Sequence, residues 1–234
     1  MKRVYVLIGG FGSGKTELAL NLAFRAARHG RTQLIDLDMV NTYFRLSERK
    51  RLIEAAEIRL VSPNYVGTNV ETLSLRAEVY SAFHTDWDTV IFDVGGDPAG
   101  ATALGRFHAD FAALPPGSLE VLNVVNVRRP MTETAEKVIA LMEDMRRNAR
   151  LFVTGLVNNT NLARETSSSE LPTGYAVLRE VSERTGVPVR YTAGLAPVLR
   201  AFLDTGPDPR FVGETLEIDT YLHRDWDTYV KEGL

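Results

Sequence analysis

The stretch Gly9-Gly-Phe-Gly-Ser-Gly-Lys-Thr16 decides the reading of the chain. It satisfies the spacing G-x-x-x-x-G-K-[ST], directly after an apolar run at Val4–Ile8 and directly before an apolar-periodic run at Thr16–Arg28. A strand that enters a helix through such a loop leaves backbone N–H groups pointing into the curl, and the helix N-terminus adds a partial positive charge. The product is a nest for a polyphosphate. Gly10, Gly12, Ser13, Gly14, Lys15, Thr16 and Glu17 are the residues expected to line it. Lys15 is placed to set its ammonium on the β- and γ-phosphates, and the Thr16 hydroxyl to ligate Mg²⁺ bridging the same phosphates. A dinucleotide fingerprint is the rival reading, since Gly10-Phe-Gly12 is followed by Asp36 and Asp38 where a ribose-binding acid would stand. Its third glycine is replaced by Lys15, where helix and strand must approach closely, so the triphosphate reading is preferred.

Working outward, short apolar runs bounded by turn residues recur at Val4–Ile8, Gln33–Leu37, Thr89–Val94, Leu119–Val127, Leu151–Val157 and Val187–Tyr191, and read as buried strands. Between them Thr16–Arg28, Glu71–Phe83, Ala99–Ala113, Thr132–Arg147 and Gly174–Arg184 carry apolar residues at three-and-four spacing and read as helices. The alternation predicts an α/β fold of three α-β-α layers with a mostly parallel sheet, whose ligand lies beyond the carboxyl ends of the strands. Leu162–Gly174 and Asp204–Arg210 read as loops or lids. A chain of 234 residues with 44% hydrophobic content suits one domain, with a core over about residues 1–205 and a C-terminal extension over 206–234. In that extension Tyr221, Trp226 and Tyr229 are expected to pack back on the core, a partner contact being the alternative.

Two further strand ends carry acids. In Asp88-Thr-Val-Ile-Phe-Asp-Val-Gly-Gly96 the apolar run ends at Asp93 and D-x-x-G follows, the pattern of an acid that holds Mg²⁺ and leads into a switch loop. Gly96 is expected to turn its amide towards a γ-phosphate and to lose that contact on hydrolysis. A plain turn with Asp97 as a cap ahead of Pro98 is the structural alternative. Gln33-Leu-Ile-Asp-Leu-Asp38 ends with two acids on one face, because alternate strand residues point the same way. Asp38 is assigned to Mg²⁺ and to orienting the attacking water, with Met39–Ser47 as a first switch loop and Arg45 as a candidate charge for the developing phosphate. Lys15, Asp38 and Asp93 are therefore the catalytic candidates, and Thr16, Asp38 and Asp93 the metal candidates.

Composition removes several classes. Without cysteine there is no disulfide, thiolate metal site or cysteine nucleophile. The formal charge of -3 leaves no basic excess for constitutive nucleic-acid binding. His29, His84, His108 and His223 are scattered and form no ligand cluster. No run approaches the roughly 18 apolar residues of a transmembrane segment, so a cytoplasmic protein is expected.

The loop, the acids of IDLD and the later DVGGD together resemble the SIMIBI class of P-loop NTPases, in particular its MinD/ParA/CobQ-like group, over about residues 1–200. DLDMVNTYFR with GLVNNTNL resembles a set of bacterial ATP-binding proteins in that group. The resemblance implies that Asp38 supports water attack, that Asn158 after a late strand helps recognise the base, and that Pro197 borders adenine. ATP with Mg²⁺ is the cofactor it implies. Guanine recognition through N-K-x-D needs the Asp to take the two donors of the guanine edge, whereas Asn158-Asn-Thr-Asn161 offers an amide, so adenine is favoured. The group's signature lysine in KGGxGK is Gly10 here, which leaves trans activation by that lysine without its residue and homodimerisation by another route open. The expected function is an ATPase or nucleotide-dependent switch acting on an unknown protein partner. The rival is an ATP-dependent small-molecule kinase or ligase of the dethiobiotin-synthetase kind, with Val61–Leu75 or Leu162–Gly174 over an acceptor; a metallochaperone GTPase and a nucleotide-binding module without turnover rank below it.

Overall fold

The computed structural model describes residues 2–38, 46–62, 69–96, 98–163 and 166–222. Among these residues eight strands form one sheet: β1 (Arg3–Ile8), β2 (Thr32–Leu37), β3 (Arg59–Val61), β4 (Thr89–Val94), β5 (Leu119–Val125), β6 (Gly155–Asn158), β7 (Val189–Gly194) and β8 (Glu214–Glu217). Their order is β3-β2-β4-β1-β5-β6-β7-β8, and every neighbouring pair is parallel. β1 lies in the middle, and all of it except Arg3 is buried. Its unbroken apolar run, Val4–Ile8, is what a strand covered on both faces requires.

The helices are α1 (Lys15–Ala27), α2 (Lys50–Ala55), α3 (Asn69–His84), α4 (Pro98–Gly105), α5 (His108–Ala112), α6 (Ala135–Ala149), α7 (Glu170–Thr185) and α8 (Ala196–Leu203). One face of the sheet is covered by α1, whose Leu18, Ala19, Leu22 and Ala23 recur at helical spacing and bury against Leu34, Ile91 and Leu122. On the other face Phe92, Val94 and Val121 meet side chains of α3, α4, α5 and α6, and β5–β7 continue into a layer formed with α6 and α7. No helix among the described residues is long and apolar enough to cross a membrane.

Several expectations are corrected. The single helix expected over Ala99–Ala113 is two, because the chain tightens at Arg106 and Phe107, whose amides reach back only three residues. Leu162–Gly174 is not a loop throughout, since α7 begins at Glu170. Pro172 sits in the first turn, where a helix needs no amide donor, so proline there starts a helix instead of breaking one. The strand expected over Leu151–Val157 is confined to Gly155–Asn158, and the helix expected from Thr132 starts at Ala135 behind Thr134, whose hydroxyl accepts from the Lys137 amide. β3, β8, α2 and α8 were not anticipated; each is too short to show a period of its own. β8 pairs with β7 beyond residue 205, so the sheet draws on the stretch read as an extension. Met39–Arg45, most of Val61–Leu75 before α3, Asp97, His223, Trp226 and Tyr229 lie outside the described residues or in part outside them.

Candidate functional site

The loop between β1 and α1 is fixed by side chains that take its carbonyl oxygens. Lys15 Nζ donates to the carbonyls of Gly9 and Gly10 at 3.1 and 3.0 Å. Arg129 Nε donates to Gly12 at 3.0 Å, and Asn159 Nδ2 to Ser13 at 2.8 Å. These donors hold the loop in one conformation between β1 and α1. Gly14 has φ 87°, and a Cβ on it would lie 2.3 Å from Asn159 Nδ2, so this position admits no side chain. α1 then starts at Lys15, so its N-terminus, which carries a partial positive charge, directly follows the loop.

The acids expected at strand ends come together beside this loop. β2 and β4 are neighbours, and Asp36 is in register with Asp93. Asp38 follows the last residue of β2, and its amide donates to Asp36 Oδ1 at 2.9 Å. Asp93 is 1% exposed; its carboxylate lies beside the Thr16 hydroxyl and the Lys15 ammonium, but neither oxygen completes a hydrogen bond of full geometry among the described residues. Burial pushes its pKa up to about 6; the Lys15 ammonium and the nearby Thr16 hydroxyl pull it down, and Asp38 adds to the rise. Buried carboxylate oxygens without a completed hydrogen bond are costly in a folded protein and point to a ligand that satisfies them. A hydroxyl from Thr16 and the carboxylates of Asp93 and Asp38 are the hard oxygen donors Mg²⁺ takes, so the residues present fit that ion. Among the described residues no cluster of three or more His, Asp or Glu forms a protein-only metal cage. Few protein ligands are also what a phosphate-bridging Mg²⁺ needs. Gly96 lies against the loop: a Cβ on it would be 2.7 Å from the Phe11 nitrogen and 3.0 Å from the Gly10 carbonyl carbon. At Gly96 the D-x-x-G segment therefore approaches the loop backbone to backbone.

The remaining assigned residues divide. Ser13 is fully buried with its hydroxyl unpartnered. The Glu17 carboxylate accepts from the amides of Tyr221 and Leu222, so it grips the C-terminal segment, and the Tyr221 ring packs at a tilt against Phe24 with ring centroids 4.7 Å apart. Asn158 is 1% exposed; its Nδ2 donates to the Leu171 carbonyl at 3.1 Å and its Oδ1 accepts from the Thr160 amide, which commits the side chain to α7. Pro197 stands in the first turn of α8, after the carboxyl end of β7 and thus on the edge of the sheet that carries the loop. Asn159 and Arg129 were given no role from sequence, although both follow a strand on this edge. The one signal for them is that polar residues just past parallel strands face the ligand end of the sheet. A separate cavity of about 360 Å³ lined by Arg3, Tyr5, Arg25, His29 and Tyr191 opens at the amino ends of β1 and β4, away from the nest.

No family model matches the sequence, and no curated protein matches it. Among solved structures the chain is similar to FtsY from Mycoplasma mycoides, with a TM-score of 0.54 and 17% identity over 82% of this chain and 60% of that one. It is similar to FtsY from Thermotoga maritima (TM-score 0.55, 16% identity, 92% of this chain and 69% of that one). It is also similar to the 54 kDa signal recognition particle protein from Aeropyrum pernix solved with GDP (0.53, 20% identity, 88% of this chain and 47% of that one). The chain spans about three-fifths of the length of the first of these relatives. At these identities the likeness is one of architecture, and it establishes an α/β P-loop NTPase fold: a parallel sheet between helices, with the glycine-rich loop after its central strand.

Proposed function

We propose that the chain is a Mg²⁺-dependent ATP-binding switch of the MinD/ParA-like kind with ATPase activity, acting on a protein partner in the cytoplasm. The observation that carries this reading is Asp93, whose buried carboxylate stands beside Lys15 and the Thr16 hydroxyl at the mouth of the loop without a completed hydrogen bond on either oxygen. Lys15 and the loop amides would hold the phosphates, Thr16 and Asp93 would hold Mg²⁺, and Asp38 would orient water. Bound Mg²⁺ supplies neutralisation of phosphate charge. Gly96, in backbone contact with Phe11, supports a switch role for the D-x-x-G segment, because a shift of the loop on one side must move the other.

The preference for adenine rests on chemistry after β6. Asn161 Nδ2 donates to the Asn159 carbonyl at 2.7 Å and its Oδ1 accepts from the Ala163 amide, so this position offers neither a carboxylate nor an uncommitted amide to guanine donors. With Asn158 bound to α7, recognition of adenine would fall to backbone groups and to the residues around Pro197. The experiment is calorimetry and phosphate release with ATP and GTP, each with Mg²⁺, for wild type, Lys15→Ala and Asp38→Asn. Release by wild type that both variants lose supports the reading. Turnover only with an added small acceptor would replace it with a kinase or ligase, and tighter GTP than ATP would reverse the base assignment.

A further inference from the structure

Arg128 and Arg129 leave β5 side by side and do different work. Arg128 pairs with Glu170, a carboxylate only 4% exposed, and so ties the turn to α7. Arg129 has no acidic partner among the described residues, whereas Arg25, Arg147, Arg179 and Arg184 elsewhere in the chain each sit on a carboxylate. Its one hydrogen bond from the guanidinium goes through Nε to the Gly12 carbonyl, at 3.0 Å. The two terminal amino groups have no partner among the described residues. An exposed cation that ignores acids and lies on an anion nest is placed by something other than ion pairing.

The turn beneath it is built to hold this position. The Arg129 amide donates to the Asn126 carbonyl at 3.0 Å, and the Thr132 amide donates to the Arg129 carbonyl at 2.9 Å. The Thr132 hydroxyl donates to Asn126 at 2.7 Å, and both Asn126 and Thr132 are buried. Gly12 lets the guanidinium lie flush with the loop, since a Cβ there would be 3.1 Å from Nε and 3.4 Å from Cζ. Gly10, the neighbouring position, carries no charge of its own.

The geometry points to Arg129 as an intramolecular cation for the terminal phosphate of a bound triphosphate, by which the chain tells triphosphate from diphosphate. This rests on the nucleotide reading above. A guanidinium held by Nε keeps its terminal N–H groups free to make paired, charge-assisted bonds with phosphate oxygens. One or two bonds to a charged phosphate are then added to the one on the Gly12 carbonyl, and the gain vanishes when the terminal phosphate has gone.

The test uses the full chain with Mg²⁺, a slowly hydrolysed triphosphate analogue and the matching diphosphate, in wild type, Arg129→Gln and Arg129→Lys. Calorimetry is expected to show triphosphate binding weakened about ten-fold or more in Arg129→Gln, with diphosphate binding changed less than about three-fold. Arg129→Lys should keep most of the discrimination, and the melting temperatures of all three should agree within a few degrees. Equal loss for both nucleotides would make Arg129 a mere brace of the loop, and no loss for either would remove its role; both overturn the inference and leave the nucleotide site standing. Wild type that binds neither nucleotide overturns the site and this inference together.

Discussion

The side-chain amide of Asn159, at the end of β6, donates to the carbonyl oxygen of Ser13 in the phosphate loop at 2.8 Å across 146 residues of sequence. Together with the Arg129 bond to Gly12, it fixes the loop from two neighbouring strands. Asn159→Ala is expected to cost about 1–2 kcal/mol, because the Ser13 carbonyl loses its donor in a buried setting. Thermal unfolding should show a lower midpoint, and calorimetry should show triphosphate and diphosphate weakened alike. An unchanged midpoint would mean that the loop holds its shape without this tie.

Asp93 gives a pH prediction with a definite sign. Folding raises its pKa from the ordinary 3.8 to about 6, so the protonated carboxyl favours the folded state. That contribution is complete below about pH 4 and is lost as pH rises through about 6. Above pH 7 the nucleotide-free Asp93→Asn variant should therefore be more stable than wild type, by on the order of 2 kcal/mol, and the gap should close towards pH 4. The same variant should lose most of the Mg²⁺ dependence of nucleotide binding. Denaturant midpoints measured from pH 4 to pH 8 decide the first point, and a variant less stable than wild type at pH 8 would contradict it.

Glu17 is expected to matter for the C-terminal segment. Its carboxylate takes the Tyr221 and Leu222 amides, while Asn21 exchanges two bonds with the Asp219 backbone. Glu17→Ala should lower stability by about 1–3 kcal/mol and open the chain beyond Ile218 to limited proteolysis. Mass spectrometry of early fragments is the readout; cleavage confined to other loops would count against the contact.

Gly174 lies where α7 crosses the end of β6, and a Cβ there would fall 2.2 Å from Asn158 Oδ1 and 2.3 Å from Thr160 Oγ1. Gly174→Ala would gain up to about 1 kcal/mol of helix propensity, yet forcing the two elements apart should cost about 1–3 kcal/mol. A net fall in the unfolding midpoint is expected. A rise would show that α7 can shift away from Asn158 without penalty.

Long, periodic segments were legible in the sequence, and short or braced ones were not. β1, α1 and β4 stand within a residue of their expected ends, because an apolar run covered on both faces and a three-and-four stripe each encode their own burial. α8 and β8 draw their stability from contacts with α7 and β7, information that eight or four residues do not carry alone. At the site, the meeting of the loop with the acids of β2 and β4 was readable, because each stands at the carboxyl end of a parallel strand of the same sheet. Asn159 and Arg129 were not, since any donor that reaches a loop carbonyl would serve, and only the strand order puts the ends of β5 and β6 beside the loop after β1. Glu17 adds a role the sequence did not show: its carboxylate is engaged by backbone from 204 residues away.

That engagement makes α1 a mechanical element. Lys15 and Thr16 begin it, and Glu17, Asn21 and Phe24 hold residues 219–222 within the next two turns. A load hung beyond Leu222 would pull on the first turns of α1, where Lys15 and Thr16 stand, as well as on β8 a few residues upstream.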